Sequence, residues 1–376
     1  MVSGVVGPVL ARLALGLAHA QAGSGTSGSG DTTGFGGMTG MAGMGGPDMH
    51  GDMWHPTLYP TTARIVAIHL QPIPILPALS VAALLAYLAG VWILRRRGTH
   101  WPVLRTLWWV IGIATVLAMT ATAVDGYGME LFSVHMVQHM VLTMLTPIFL
   151  TLGAPLTMLI RVLPPGSGPF NARRLLLLLL HSRFAQFVTH PVVTLIVFLM
   201  SLYGLYFTPV FDWLMSSMWG HNLMLAHFVL IGMLYFWGIM GVDPSPRRYN
   251  NQLRRFNAEV VRIFEIFVTV PFHAFFGIVV IMSTSLIVGF YANPMKGWGI
   301  SPLSDQRTAG GIAWGFTEIP TVVLLSALVM IWQRSEKRHE KAIDHQAELN
   351  HDADLVAYNA YLAKVSGQDA ATPPRR

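Results

Sequence analysis

The chain contains no cysteine. It can form no disulfide and offers no thiolate, so a metal held by it must be bound through imidazole, thioether, carboxylate or backbone groups. Charge is also scarce. Only 11% of the 376 residues are Asp, Glu, Lys or Arg, against roughly 25% in a soluble globular domain. Together with 53% hydrophobic residues and a mean hydropathy of +0.51, this excludes an ordinary soluble domain. The net charge of +6 does not point to nucleic acid. The Lys and Arg residues fall in short clusters between apolar blocks, which is the pattern of membrane topology. Against these shortages stand 21 Met and 15 His, many for so apolar a chain.

The expected fold is all-α, a polytopic membrane helix bundle. Residues 1–22 read as a signal peptide or leader: the apolar stretch at 5–18 is too short to span a bilayer, and Ala18-His19-Ala20 fits a small-residue cleavage site. No Lys or Arg precedes that stretch, so an interfacial leader is the alternative. Residues 23–71 form a Met- and Gly-rich extracytoplasmic tail, of low complexity as far as residue 56. Residues 72–333 carry about seven apolar blocks, near 72–94, 104–124, 131–152, 191–211, 221–241, 265–289 and 311–332. Lipid cannot satisfy free backbone groups, so each block must be helical. Residues 334–376 read as a cytoplasmic amphipathic helix, with Ile343, Ala347, Leu355, Tyr358 and Leu362 at helical spacing, and a disordered end.

Orientation follows from the basic residues. Arg95, Arg96, Arg97 and Arg105 follow the first block, Arg161, Arg173, Arg174 and Arg183 the third, and Arg247, Arg248, Arg254, Arg255 and Arg262 the fifth. Arg334, Lys337, Arg338 and Lys341 follow the last block, while the intervening short loops hold only Lys296 and Arg307. This places the N-terminus outside and the C-terminus in the cytoplasm of a plasma (inner) membrane.

Ionisable groups inside a membrane are costly and point to function. His135 and His139 stand at i and i+4 in the third block, so both imidazoles project from one helix face, with Met136, Met140 and Met144 beside them. Such a pair chelates Cu, Zn, Fe or Ni alike. It can equally tie neighbouring helices by hydrogen bonds, and the Met stripe reads first as core filling. In the fifth block His221, Met224 and His227 follow at intervals of three, and His227 is expected at the depth of the first pair. Glu318, counted from Gly311, is expected at that depth too, as a ligand or a proton relay. His273 is expected nearer the inner half, outside the same ligand shell unless its helix breaks at Pro271. A shared site would join His135, His139 and His227, completed by Met140, Glu318 or water.

The tail adds Met38, Met41 and Met44, then Met49, His50 and Met53. Thioethers select soft Cu(I), and on a flexible Gly-rich chain several sulfurs can wrap one ion. A segment without a core gives methionine nothing to pack against, so copper capture is preferred over compositional drift.

The run from Phe132 to Val141 (FSVHMVQHMV), with Pro147 and Leu152-Gly-Ala-Pro155, resembles the multi-spanning CtaG family of cytochrome c oxidase assembly proteins. His190-Pro191, the run Ser201 to Tyr206, Gly220-His221, Gly241-Val-Asp-Pro244, Pro271-Phe-His273, Asp305-Gln306, Ala309 to Trp314, Glu318-Ile-Pro320 and Asp354 to Asn359 extend it. The resemblance covers about residues 72–365 and favours His135, His139, His221, His227 and His273 as motif histidines. It implies a non-enzymatic membrane chaperone that helps to mature a haem–copper oxidase, with copper as the metal and oxidase subunits and lipid as partners. A homo-oligomer stays open. The alternatives are a copper transporter, a membrane cytochrome with His-ligated haem, and a scaffold in which the histidines only bridge helices. The Met-rich tail lies outside the pattern.

Overall fold

A computed structural model describes residues 53–166, 168, 171–247, 258–293, 297–349 and 353–365. Among the described residues the regular structure is helical apart from one isolated bridge between Ile68 and Thr122. In order the helices are α1 (Thr62–Ile65), α2 (Ile75–Arg96), α3 (Val103–Thr120), α4 (Val124–Glu130) and α5 (Phe132–Met140), followed by a π-helical turn, Val141–Leu145. Then come α6 (Thr146–Leu152), α7 (Pro155–Val162), α8 (Ala172–Leu180), α9 (Arg183–Val188) and α10 (Pro191–Tyr206). The last are α11 (Val210–Met215), α12 (Met218–Met240), α13 (Ala258–Met282), α14 (Pro302–Leu349) and α15 (Ala353–Val365).

Six stretches are long and apolar enough to cross a membrane: α2, α3, the continuous run Phe132–Val162, α12, Val260–Met282 and Pro302–Met330. Leu85, Leu107, Ile196, Leu230, Phe267 and Val322 are exposed on the outside of the bundle. An apolar surface of this extent fits lipid, not water. The seventh apolar block is α10, shorter at 16 residues. It still runs the length of the bundle. Arg247 holds its first turn, bonding Thr189 O and Thr194 Oγ1, and Tyr206 at its last turn packs on Phe132 at the other end.

The two ends differ in chemistry. At one, Arg105 and Arg161 both approach the Trp101 ring, Arg96 lies over Trp92, and Arg97 donates to Val162 O. Asp243 there caps α7 by accepting from Leu156 N and Thr157 N at 3.0 and 2.9 Å. The described parts of the loops after the first, third and fifth blocks therefore meet at one end. At the other end Asp305 caps α5, accepting from Phe132 N at 2.6 Å and from Ser133.

That second end is closed by a strap, residues 53–71, which the sequence groups with the tail. Trp54 N donates to Gln71 Oε1, His55 Nδ1 meets Glu130 Oε1 at 2.7 Å, and Tyr127 Oη donates to Leu58 O. Met53 is 6% exposed and belongs to the main apolar core. The premise that the tail methionines lack a core fails at this position.

Two helix boundaries differ from the hydropathy blocks. The sixth helix covers 258–282 rather than 265–289, and the seventh begins at Pro302, nine residues before the apolar block. Its opening residues include Asp305 and Gln306, whose polarity hides the helix from a hydropathy reading. The same helix continues unbroken to Leu349, where the sequence suggests a separate tail helix from about 335. Tyr358 and Leu362, expected on an apolar face, are exposed on α15.

Candidate functional site

The third spanning run carries a local irregularity directly after His139. Pro147 has no N–H, so it cannot bond the Thr143 carbonyl one turn back. The chain widens there instead, and Thr146 N bonds Val141 O, five residues back. Helix α12 crosses at this point through Gly232. A Cβ on Gly232 would lie 2.2 Å from Thr143 O and 2.4 Å from Pro147 Cγ, so the crossing admits only glycine. π-turns of this kind occur often at functional sites.

The helix so positioned turns His135 and His139 inward, and both are essentially unexposed, as are Met136 and Met140. His135 Nε2 is 3.1 Å from Tyr206 Oη, and its ring meets Phe211 edge-on at 5.0 Å. His139 Nδ1 makes a long contact, 3.4 Å, with Thr143 Oγ1. Its ring sits edge-on to Phe228 at 4.3 Å and Tyr206 at 5.4 Å. The opposite nitrogens, His135 Nδ1 and His139 Nε2, have no hydrogen-bond partner.

His273 joins this interior. Helix α13 continues through Pro271, and His273 is buried beside Phe198 at 5.3 Å. Its Nδ1 also lacks a partner in hydrogen-bonding geometry, and His139 lies within electrostatic reach of it. His273 therefore faces the same interior as the pair, while among the described residues it joins no common ligand shell with it. Small residues let α13 and α14 approach at Gly277 and Gly310, where an added Cβ would meet the facing carbonyl at 2.9 or 2.8 Å.

His221 anchors a second polar group one layer toward the strap. Its Nε2 is 3.0 Å from Asp125 Oδ1, and Gln138 Nε2 donates to the same oxygen at 2.8 Å and to Met119 O. His221 Nδ1 is 3.3 Å from Met215 Sδ. His221 and His139 are both within electrostatic reach of His135.

Other expectations shift. His227 is half-buried and bonds Ser201 Oγ at 2.7 Å, although it is also within electrostatic reach of His139. Glu318 is exposed on the outside of α14. Measured from Pro302, it lies ~24 Å along the helix, not at the histidine layer. Among the described residues, no three His, Asp or Glu side chains gather closely enough to hold an ion. A single centre made of His135, His139 and His227 is therefore not formed. Met38, Met41, Met44, Met49 and His50 lie outside the described residues.

Sequence reasoning missed Asp125, Tyr206 and Met215. Asp125 directly follows the second apolar block, where a carboxylate reads as an ordinary loop residue. Tyr206 and Met215 lie in apolar surroundings where tyrosine and methionine read as core, and no spacing rule pairs them with histidines on other helices.

The sequence profile of the cytochrome c oxidase caa3 assembly factor family (Caa3_CtaG) matches residues 85–335. Uncharacterized proteins of Mycobacterium bovis and Mycobacterium tuberculosis are each 40% identical over 311 residues, covering 82% of this chain and 46% of their own length. One of Mycobacterium leprae is 39% identical over 287 residues, 75% of this chain and 42% of its own. The chain thus spans about half the length of the curated relatives it matches. No solved structure matches. The matched stretch contains the buried histidines, the π-turn and both capping aspartates, and the chain belongs to the cytochrome c oxidase caa3 assembly factor family.

Proposed function

We propose that the chain is a non-enzymatic assembly factor of the plasma membrane that handles copper, as cargo, for a haem–copper oxidase on the extracytoplasmic side. One observation carries the copper reading: His135 Nδ1 and His139 Nε2, one turn apart, are buried without partners among soft Met136 and Met140 side chains. An unsatisfied buried polar atom costs about 1–3 kcal/mol, and a bound cation offsets that cost. Imidazole and thioether suit copper, and a chain without cysteine has no softer donor. Since no three imidazoles converge among the described residues, the donors act in series, from the Met-rich segment at 38–50 through His135 and His139 to the oxidase subunit.

The test is single replacement of His135 or His139 by Ala. Oxidase activity of the host membranes should be lost while this protein stays abundant. Loss of the protein itself from the membrane would make the two histidines structural ties and end the copper reading of this pair.

A copper transporter is the second reading. It is favoured by polar groups that continue toward the Arg-rich end: His273, then Tyr235 Oη on Thr269 Oγ1 at 2.5 Å, then the Arg247–Glu265 pair at 2.9 Å. Copper uptake into vesicles carrying the purified protein supports transport; tight binding without uptake supports the assembly factor.

A further inference from the structure

We propose that Met215 and His221 form a separate Cu(I)-binding pair at the strap end of the bundle, with Asp125 as the positioning residue behind the imidazole. The inference rests on the copper reading above and adds a site, two residues and an oxidation state to it.

His221 Nε2 lies 3.0 Å from Asp125 Oδ1, and the tautomer that donates to this oxygen carries its hydrogen on Nε2. On that tautomer Nδ1 presents its lone pair to Met215 Sδ, 3.3 Å away. Two electron-pair donors then face each other. Both are sealed from solvent, His221 at 1% and Met215 at 0% exposure, so water does not separate them. A cation between them resolves the contact.

The donors select which cation. A neutral imidazole and a thioether are soft and uncharged, and suit Cu(I) over the hard, oxygen-seeking ions. Metal–ligand bonds of about 2.0 Å to nitrogen and about 2.3 Å to sulfur put two such donors within about 4 Å of each other. A separation of 3.3 Å fits a bent pair with a third donor beside it. Met218 and Met224 lie one turn to either side of His221 on α12, and both are buried.

The surrounding geometry is that of a supported ligand. A carboxylate on the far ring nitrogen fixes tautomer and orientation and makes the imidazole a better base. Asp125 is itself held, because Gln138 Nε2 ties its Oδ1 to Met119 O. Asp125 lies on α4, which packs on α5, while Met215 closes α11 and His221 opens α12. The site thus joins three elements and sits one layer above His135, within electrostatic reach of it. Cargo leaving this pair would meet the His135–His139 face next.

The test uses the full-length protein with Met38, Met41, Met44 and Met49 changed to Ser, so that tail sulfur does not mask the signal. Cu(I) is titrated anaerobically against bicinchoninate, and the loaded protein is examined by copper X-ray absorption. Met215→Leu should weaken Cu(I) binding by about 10-fold or more and remove one sulfur near 2.3 Å, as expected when a ligand of this kind is lost. Asp125→Asn should weaken binding about 10- to 100-fold with the sulfur retained. His221→Gln should weaken binding by a similar factor and remove one nitrogen at about 2.0 Å, and it replaces Met215→Leu should that variant fail to fold. Unchanged affinity and an unchanged ligand shell in both ligand variants, with Cu(I) still bound, would overturn this site and leave the copper reading standing. No Cu(I) taken up by the unaltered full-length protein would overturn both.

Discussion

Asp305 shows how a single carboxylate reaches across the bundle. It stands four residues into α14, yet it accepts the N–H groups of Phe132 and Ser133 that open the histidine-bearing helix. Those N–H groups have no partner inside their own helix, and the carboxylate also complements the helix dipole. Asp243 does the same for α7. Losing a cap costs about 1 kcal/mol, and leaving buried donors unpaired adds to it. Asp305→Ala should therefore destabilise the protein by about 2 kcal/mol or more. Thermal unfolding in detergent reads this directly, and an unchanged midpoint would show that the cap contributes nothing. The sequence made part of this residue scale legible. The i, i+4 spacing of His135 and His139 already puts both on one face, and both face inward. Spacing on one helix does not set its rotation against another, which is why His227 meets Ser201 instead and Glu318 faces outward. Nor does it show that Asp125 lies beside a histidine 96 positions away.

The third spanning run, α5, the π-turn and α6, is the element on which the site depends. Hydropathy marks it as one apolar block at 131–152, and it is continuous in that range. What hydropathy cannot register is the missing N–H of Pro147, the π-turn beside it, and the glycine on α12 that packs against Thr143 O. Gly232→Ala places a methyl group against backbone rather than against a movable side chain. Overpacking of this kind costs about 1–3 kcal/mol, occasionally more. The variant should melt earlier in detergent by an amount of that order and yield less folded protein. Gly311→Ala, where an added Cβ meets nothing within 4 Å, is the control and should leave the midpoint in place. Equal behaviour of the two variants would contradict the close crossing. The displaced boundaries of α13 and α14 have the same origin. Hydropathy reports contact with lipid, and it misses helical turns whose polar residues are used as caps.

For the whole molecule, the count of crossings depends on α10. If α10 did not cross, the basic loop before it and the basic loop after α12 would lie on opposite sides of the membrane. The structure ties Asp243, just after α12, to the start of α7 through the cap on Leu156 and Thr157, and ties Arg247 to the start of α10. Both loops therefore belong to one end of the bundle, the end that the excess of Arg predicts to be cytoplasmic. Reporter fusions near residues 100, 170 and 250 should all read cytoplasmic, and an external reading at any of them would break the seven-crossing account. The strap at 53–71 closes the opposite end. A deletion meant to remove the Met-rich segment must stop at Asp52, because Met53 is core. The central claim is that the buried histidines hold copper. Its most direct test is the copper-to-protein ratio of the purified full-length chain, compared with that of the His135→Ala and His139→Ala proteins carrying the same tail. The account predicts copper bound in fixed proportion to the unaltered protein, a lower ratio in each variant, and the same yield of folded protein in all three. Equal copper in all three would contradict it.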